Sequence, residues 1–240
     1  MLGGARLDFL QTLPEYEVFF TTKSFGVAEL SALGCKRPIY VENAYDPHTH
    51  GPRAVDEATR RALGGQVGFV GAYERERWEL MRMLAEHGIE VRVWGENWRK
   101  KHACHPRLKI ECQPLWGDDY TRAVCSFDIN LGFLRKLNRD LQTQRSIEIP
   151  ACAAFMLAER TSEHSQLFDE GKEAEFFSSP DELLHKTEFY LSHPDQRELI
   201  AAAGRERCLR SGYDAVSRLR QMLTALDQAV ATPQTTLSVS

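Results

Sequence analysis

From Gln66 onward the chain alternates short apolar runs with amphipathic stretches. Val67-Gly-Phe-Val-Gly71 reads as a strand buried on both faces. Arg75 to His87 then sets Trp78, Met81, Leu84 and Ala85 at helical spacing, and Gly88 stops the pattern. The alternation continues through Ile89 to Trp94, Leu108 to Cys112, a short helix over Asp118 to Phe127, and Asp128 to Phe133. It goes on with a helical stretch from Ile147 to Cys152, a strand from Phe155 to Ala158, a helix from His164 to Glu170, and Ala174 to Phe177. Strands alternating with helices predict an α/β fold whose parallel sheet is covered on both faces. Right-handed crossovers make it doubly wound and Rossmann-like. After the last strand the pattern turns helical. Ser179-Pro-Asp-Glu182 is a capping box that opens a helix burying Leu183, Leu184, Thr187, Tyr190 and Leu191. Leu199, Ile200 and Ala203 mark a second helix, and Val216, Leu219, Leu223, Leu226 and Val230 a last one.

The amino-terminal part carries a smaller pattern. Val18 to Thr22 and Pro38 to Glu42 are strand-like, and Val27 to Leu33 between them is helical and closed by Gly34. One strand-helix-strand unit is too small to bury a core of its own. Residues 1–52 are therefore read as the remnant of a second α/β domain, 53–65 as a linker, and 66–213 as the ligand-binding domain. Residues 214–231 are read as a carboxy-terminal helix crossing back to residues 1–45, and 232–240 as a disordered polar tail. The stretch Asp46-Pro-His-Thr-His-Gly-Pro52, with His48 and His50, reads as a turn-rich lead into the linker.

Composition narrows the function classes. Thirty-four acids against 30 bases give a net charge of -4, so nucleic acid and anionic membranes are not expected partners. No apolar run approaches the ~20 residues of a membrane span, and the start of the chain lacks the pattern of a signal peptide. The six cysteines form no C-x-x-C, which fits reduced thiols and a cytoplasmic location. His102-Ala-Cys104-His105 is spaced too tightly for a zinc site and reads as a polar loop, so no metal is expected. Asp118-Asp119 suits a helix amino terminus.

In a doubly wound sheet, ligands bind beyond the carboxyl ends of the strands. The loop after Val70 offers Gly71, where the backbone can approach a ligand, with Arg75 and Arg77 read as solvated. The loop after Phe133 is richer, running from Arg135 through Asn138, Arg139, Asp140 and Arg145 to Glu148. Asp140 and Glu148 lie eight residues apart, and Glu148 is followed at once by apolar Ile149 to Leu157. An acid beside buried surface needs a hydrogen-bonding reason, and a ribose diol is one such reason. Guanidinium groups close by suit a diphosphate.

At these residues the chain resembles the carboxy-terminal half of the CgeB-like, spore-maturation-type glycosyltransferases. The resemblance rests on Val67 to Gly71, Val91 to Gly95, and above all Asn138-Arg-Asp-Leu-Gln-Thr-Gln-Arg-Ser-Ile-Glu-Ile-Pro-Ala-Cys152. It continues through Phe155 to Thr161, Gly171 to Ala174 and the run to Leu183, and spans most of residues 15–223. The resemblance implies a GT-B fold that transfers a sugar from a nucleotide-diphosphate donor to an unknown acceptor, be it a glycan, a protein or a small molecule, with no cofactor and no metal. It is similar to a wider set of retaining GT-B enzymes with two acids separated by seven residues. By that likeness Glu148 holds the donor ribose and Asp140 lies near the sugar and phosphates. Arg139 and Arg145 become diphosphate ligands, and Glu163 touches the sugar. Gly71 and Asn138 complete the expected donor site. Two family glycines stand here as Ala153 and Ala154. Because only a remnant of the acceptor-side domain is present, no catalytic residue is named. The alternative reading is a non-catalytic nucleotide-sugar-binding module, or a fragment that needs a partner chain.

Overall fold

The structure is a computed structural model that describes residues 7–231; the tail expected at 232–240 lies outside the described residues. The chain divides into two compact units, residues 1–44 with 213–240 and residues 45–212.

The first unit holds α1 (Leu7–Thr12), β1 (Phe19–Thr21), α2 (Gly26–Ala32) and β2 (Pro38–Tyr40). β1 and β2 pair in parallel, Phe20 opposite Ile39, as a two-stranded sheet separate from the main one. Its small core gathers Leu13, Leu30 and Cys35. The closing helix, named in chain order below, belongs to this unit, where Arg218 pairs with Glu42 at 2.9 Å and lies over the Tyr213 ring.

The second unit begins earlier than the hydrophobic pattern predicts. Residues 53–65, read as a linker, contain α3 (Glu57–Leu63). The Asp56 carboxylate caps it by accepting from the Thr59 amide at 2.7 Å. The buried Arg92 guanidinium satisfies the other end, donating to the carbonyls of Arg61, Ala62 and Gly64. Arg60 pairs with Asp128 at 2.7 Å. These ties are long-range, so no local periodicity announces them.

Then follow β3 (Gly65–Val70), α4 (Arg75–Glu86), β4 (Val91–Trp94), β5 (Leu108–Ile110), α5 (Gly117–Cys125) and β6 (Phe127–Gly132). After them come α6 (Arg145–Ala151), β7 (Met156–Glu159), α7 (Ser162–Leu167), β8 (Glu175–Phe177), α8 (Pro180–Ser192), α9 (Pro194–Arg210) and α10 (Ala215–Ala231). The six strands β3 to β8 are all parallel, in the order β5-β4-β3-β6-β7-β8. Chain connections leave the centre in opposite directions from β3 and β6, which places the topological switch point between them. Val67, Phe69, Val91, Val93, Ile129, Leu131 and Leu157 fill the core, each at most 2% exposed. Such strands form because β-branched and aromatic residues fit a sheet buried on both sides. No described helix is long and apolar enough to cross a membrane.

Two details adjust the pattern. On α10, Val216, Leu219, Leu223 and Leu226 remain 36–54% exposed. Pro150 sits inside α6, which ends one residue later at Ala151. Ala153 then takes a left-handed φ of 54°, its amide bonding the Pro150 carbonyl while Ala154 bonds that of Ile149. A side chain in that conformation costs about 1–2 kcal/mol. Ala153→Gly is expected to stabilise the protein by about 0.5–1 kcal/mol, the strain relief less the added freedom of the unfolded chain. A thermal melt reads this, and an unchanged or lower Tm refutes the strain.

Candidate functional site

The switch point opens into a cleft at the carboxyl ends of β3, β4 and β6. Its floor is bare backbone. The Gly71 amide donates to the Trp94 carbonyl at 2.8 Å, and the Gly71 carbonyl accepts from the Trp98 indole at 2.8 Å. Gly95 has φ +155°, and a Cβ there would lie 1.9 Å from the Gly71 oxygen. Gly71 is equally constrained, since its Cβ would fall 2.5 Å from the Phe69 ring. Two strand ends pressed together this tightly admit only glycine.

Around that floor stand Pro114, Leu115 and Trp116 on one side and Phe133, Arg135 and Asp140 on the other. Thr143, Arg145 and Arg77 complete the wall in a cavity of about 250 Å³. Trp116 is 73% exposed, an indole face open to solvent ahead of α5. Arg77 was read as a solvated residue; the structure buries it to 8% exposure on the inner face of α4, while neighbouring Arg75 is exposed and pairs with Glu79 at 2.8 Å. Arg77 donates to the Ala72 carbonyl at 3.2 Å and lies 3.5 Å from Glu74. Burial pushes its guanidinium below the usual arginine range, against the pull of Glu74 and Glu159.

Two of the cleft cations differ from those nearby, and from Arg135, which pairs with Glu74 at 3.2 Å. Lys136 is paired with Glu159, and Arg160 is committed to Glu170 and Glu182. By contrast the Nε groups of Arg77 and Arg145 are buried and have no hydrogen-bond partner. An unmatched buried guanidinium N–H costs stability, and an anion in the cleft would remove that cost.

The structure sorts the expected site residues. Gly71, Asp140 and Arg145 share the cleft. Asn138 and Arg139 stand on an exposed turn, where Arg139 adopts a left-handed φ of 54°. Glu163 is buried at the start of α7, outside the residues that line the cleft. Glu148 sits about one turn beyond Arg145 on α6 and meets the α5 side of the unit. The Tyr120 hydroxyl donates to its Oε2 at 2.8 Å, and His50 Nε2 approaches Oε1 at 3.7 Å. Burial, and next the Glu148 charge, push the Tyr120 phenol well above its ordinary value, so it stays a donor. His50 is held there by an Asx turn. Asp46 accepts from the His48 amide and the Thr49 hydroxyl, and the Thr121 hydroxyl donates to the Thr49 carbonyl at 3.0 Å.

A histidine relay fixes α6 from the other side. His164 is fully buried, stacked on Phe176, with Nδ1 2.6 Å from the Glu159 carbonyl. A carbonyl only accepts, so Nδ1 carries the proton, and Nε2 accepts from the Ser146 hydroxyl at 2.7 Å. Ser146 in turn accepts from the Thr143 amide at 3.0 Å. Thr161 ties the same loop by donating to the Leu141 carbonyl at 2.6 Å. Among the described residues no group of histidine, cysteine and acids has the makings of a metal site, and His102 is instead a buried ring stacked on Tyr73.

A family model described as glycosyl transferase-like matches residues 75–224, more than half of the chain. The chain belongs to this glycosyl transferase-like family. No curated protein matches it significantly in sequence. Among solved structures, this glycosyl transferase-like chain is similar to a sucrose-phosphate synthase from Thermosynechococcus elongatus, at 14% identity and a TM-score of 0.69. That likeness covers 95% of this chain and 63% of the synthase. HepE from Anabaena, solved in complex with UDP and glucose, matches with a TM-score of 0.70 at 11% identity, over 93% of this chain and 68% of that one. The carboxy-terminal domain of the glycosyl transferase group 1 family protein LpcC from Francisella tularensis matches 71% of this chain over 99% of its own length, at 12% identity and a TM-score of 0.56. These likenesses show a GT-B-type α/β fold.

Sequence reasoning passed over Trp116, Arg77 and Tyr120. The first had a readable signal, an aromatic between Pro114-Leu and Gly117 at a strand-to-helix loop. The others had none, because only packing decides which Arg of the α4 start is buried and which tyrosine meets Glu148.

His164 gives the site a pH dependence. Burial depresses its pKa below the ordinary 6.5, with the Glu159 bond and the Glu159 and Glu163 charges opposing. A depressed histidine contributes stability above its unfolded pKa that is lost as pH falls through the folded one. Unfolding free energy from urea titrations is therefore expected to drop as pH falls below 6.5, and His164→Asn to flatten that slope. Parallel slopes for both proteins would refute the role.

Proposed function

We propose that the chain is the donor-binding half of a glycosyltransferase that moves a sugar from a nucleotide-diphosphate donor to an acceptor, of the CgeB-like type and in the cytoplasm. The observation that carries this reading is the pair of cleft arginines, Arg77 and Arg145, that each keep a buried Nε without a hydrogen-bond partner beside Asp140 at the switch point. A donor diphosphate is the chemistry that satisfies them, since each guanidinium presents planar donors to phosphate oxygens. The bare Gly71 and Gly95 floor lets that diphosphate lie against backbone. Trp116 supplies a flat face for the base. Glu148 receives the ribose hydroxyls by exchanging its His50 approach for the diol while keeping Tyr120. Charge on the departing nucleotide is stabilised by fixed cations, so the reaction needs no cofactor beyond the donor itself. Residues 1–44 with the closing helix are the reduced acceptor-side unit.

The chain spans only 63% of the synthase it resembles, which favours a second reading as a donor-binding module that turns over only with a partner chain. Donor hydrolysis or transfer by the purified chain supports the first reading. Saturable binding without turnover supports the second.

Nucleoside diphosphates and their hexose conjugates are expected to raise the Tm in a thermal-shift screen, and the bare nucleosides to do so far less. At 100 times its Kd a ligand adds about 2.7 kcal/mol. No shift with any of them sinks the donor site. Trp116→Ala is expected to weaken nucleotide binding by about 1–3 kcal/mol through lost stacking, with Tm unchanged because the indole packs on little. Glu148→Gln retains an oxygen that accepts from Tyr120, so the variant is expected to fold normally and lose about 1–3 kcal/mol of nucleotide affinity. A lowered Tm with unaltered affinity assigns Glu148 to structure alone.

A further inference from the structure

Six cysteines are distributed unevenly. Cys104 and Cys112 are exposed, and Cys35 and Cys208 are buried on their own. Cys125 and Cys152 meet. Cys125 is the last residue of α5, and Cys152 caps the carboxyl end of α6. The Cys125 sulfur lies 3.7 Å from the Cys152 carbonyl oxygen and 3.8 Å from that of Gly51, and each thiol is the largest single influence on the other's titration. Their surroundings differ. Cys152 is 2% exposed, whereas Cys125 borders a hollow on the amino-terminal side of the sheet, beside Phe127, Ala153 and Arg197. That hollow lies at the opposite end of the strands from the cleft.

The electrostatics distinguish an attacking sulfur from a resolving one. Cys125 gains from the Cys152 thiol, then from the Arg53 amide and the charges of Arg53 and Arg205, which hold it at about 7. Cys152 is pushed the other way by the neighbouring Cys125 thiol and by burial. At Cys208 burial outweighs the charges of Arg205 and Arg207 and raises the thiol to about 12.

We infer that Cys125 and Cys152 are a dithiol–disulfide pair, Cys125 being the site of oxidation by a hydroperoxide and Cys152 its resolving partner. The Cys125 thiolate attacks the terminal peroxide oxygen. The O–O bond breaks, hydroxide or alkoxide leaves, and a sulfenic acid forms. The Cys152 sulfur then attacks the Cys125 sulfur, the S–O bond breaks, and water leaves with the Cys152 proton. Two electrons pass from the thiols to the peroxide. The crosslink joins the carboxyl ends of α5 and α6. Tyr120 and Glu148, bonded at 2.8 Å, lie just upstream on the same two helices, so oxidation fixes the spacing at Glu148.

The test uses the full chain with Cys104→Ser and Cys112→Ser to silence the exposed thiols. It is treated with hydrogen peroxide, quenched in acid and alkylated, then digested for mass spectrometry. A Cys125–Cys152 linked peptide that dithiothreitol removes is expected, together with a raised Tm. Cys152→Ala is expected to stop at a sulfenic acid on Cys125 that dimedone traps. The wild-type chain, mapped the same way, gives the linkage without any substitution and guards against a variant that misfolds. Recovery of both cysteines as alkylated thiols after peroxide overturns the inference. So does a disulfide through any other cysteine, or dimedone on another cysteine before Cys125.

Discussion

Everything at the cleft depends on how closely the ends of β3 and β4 approach. Parallel strands bury both faces, so their carboxyl ends are the one edge where helices do not cover them. At the switch point of this sheet the Gly71 carbonyl occupies the space a Gly95 side chain would need. The indole of Trp98 secures the same carbonyl from below. Because nothing projects from this floor, the walls of the cleft can be charged without crowding it. A side chain at Gly95 would part the strands at the Gly71 carbonyl, and one at Gly71 would press on the Phe69 ring.

Charge then separates the arginines around the sheet into those with their partners in the fold and those with a donor left over. Arg92 is buried, but its donors meet three α3 carbonyls and Glu111, so it serves as a clamp that folds residues 57–63 onto the sheet. Arg160 is likewise consumed by Glu170 and Glu182, which raise its pKa above the ordinary arginine value. Arg77 and Arg145 each keep a buried Nε without a partner in the cleft, a deficit that Arg82 and Arg218 share elsewhere. Each unmatched buried N–H costs about 1–3 kcal/mol, and in the cleft it faces space that an anion can occupy.

Helices α5 and α6 link the two ends of the unit. One end of their contact is the Tyr120–Glu148 bond; the other is the Cys125–Cys152 contact on the amino-terminal side of the sheet. His164 steadies α6 independently through Ser146. Glu148 on α6 and the Cys152 cap at its end are four residues apart.

The α/β class, the parallel sheet and most element positions, to within two or three residues, are legible in the chain's own pattern. Burial on both faces writes continuous apolar runs, and helices between them write a 3.6-residue period. Gly71, Asp140 and Arg145 were also legible, since strand-end loops are where such a sheet places ligands. Tertiary structure alone decided the rest. It turned residues 57–63 from linker into helix through Arg92, buried Arg77 while leaving Arg75 in solvent, and left Asn138 and Arg139 on an outward turn. It gave Glu148 a tyrosine and a histidine as neighbours and enclosed Glu163 in α7. Each of these outcomes is set by contacts between residues far apart in the chain. Local pattern carries the period of an element, whereas the partner of a charged side chain is fixed only when the elements pack.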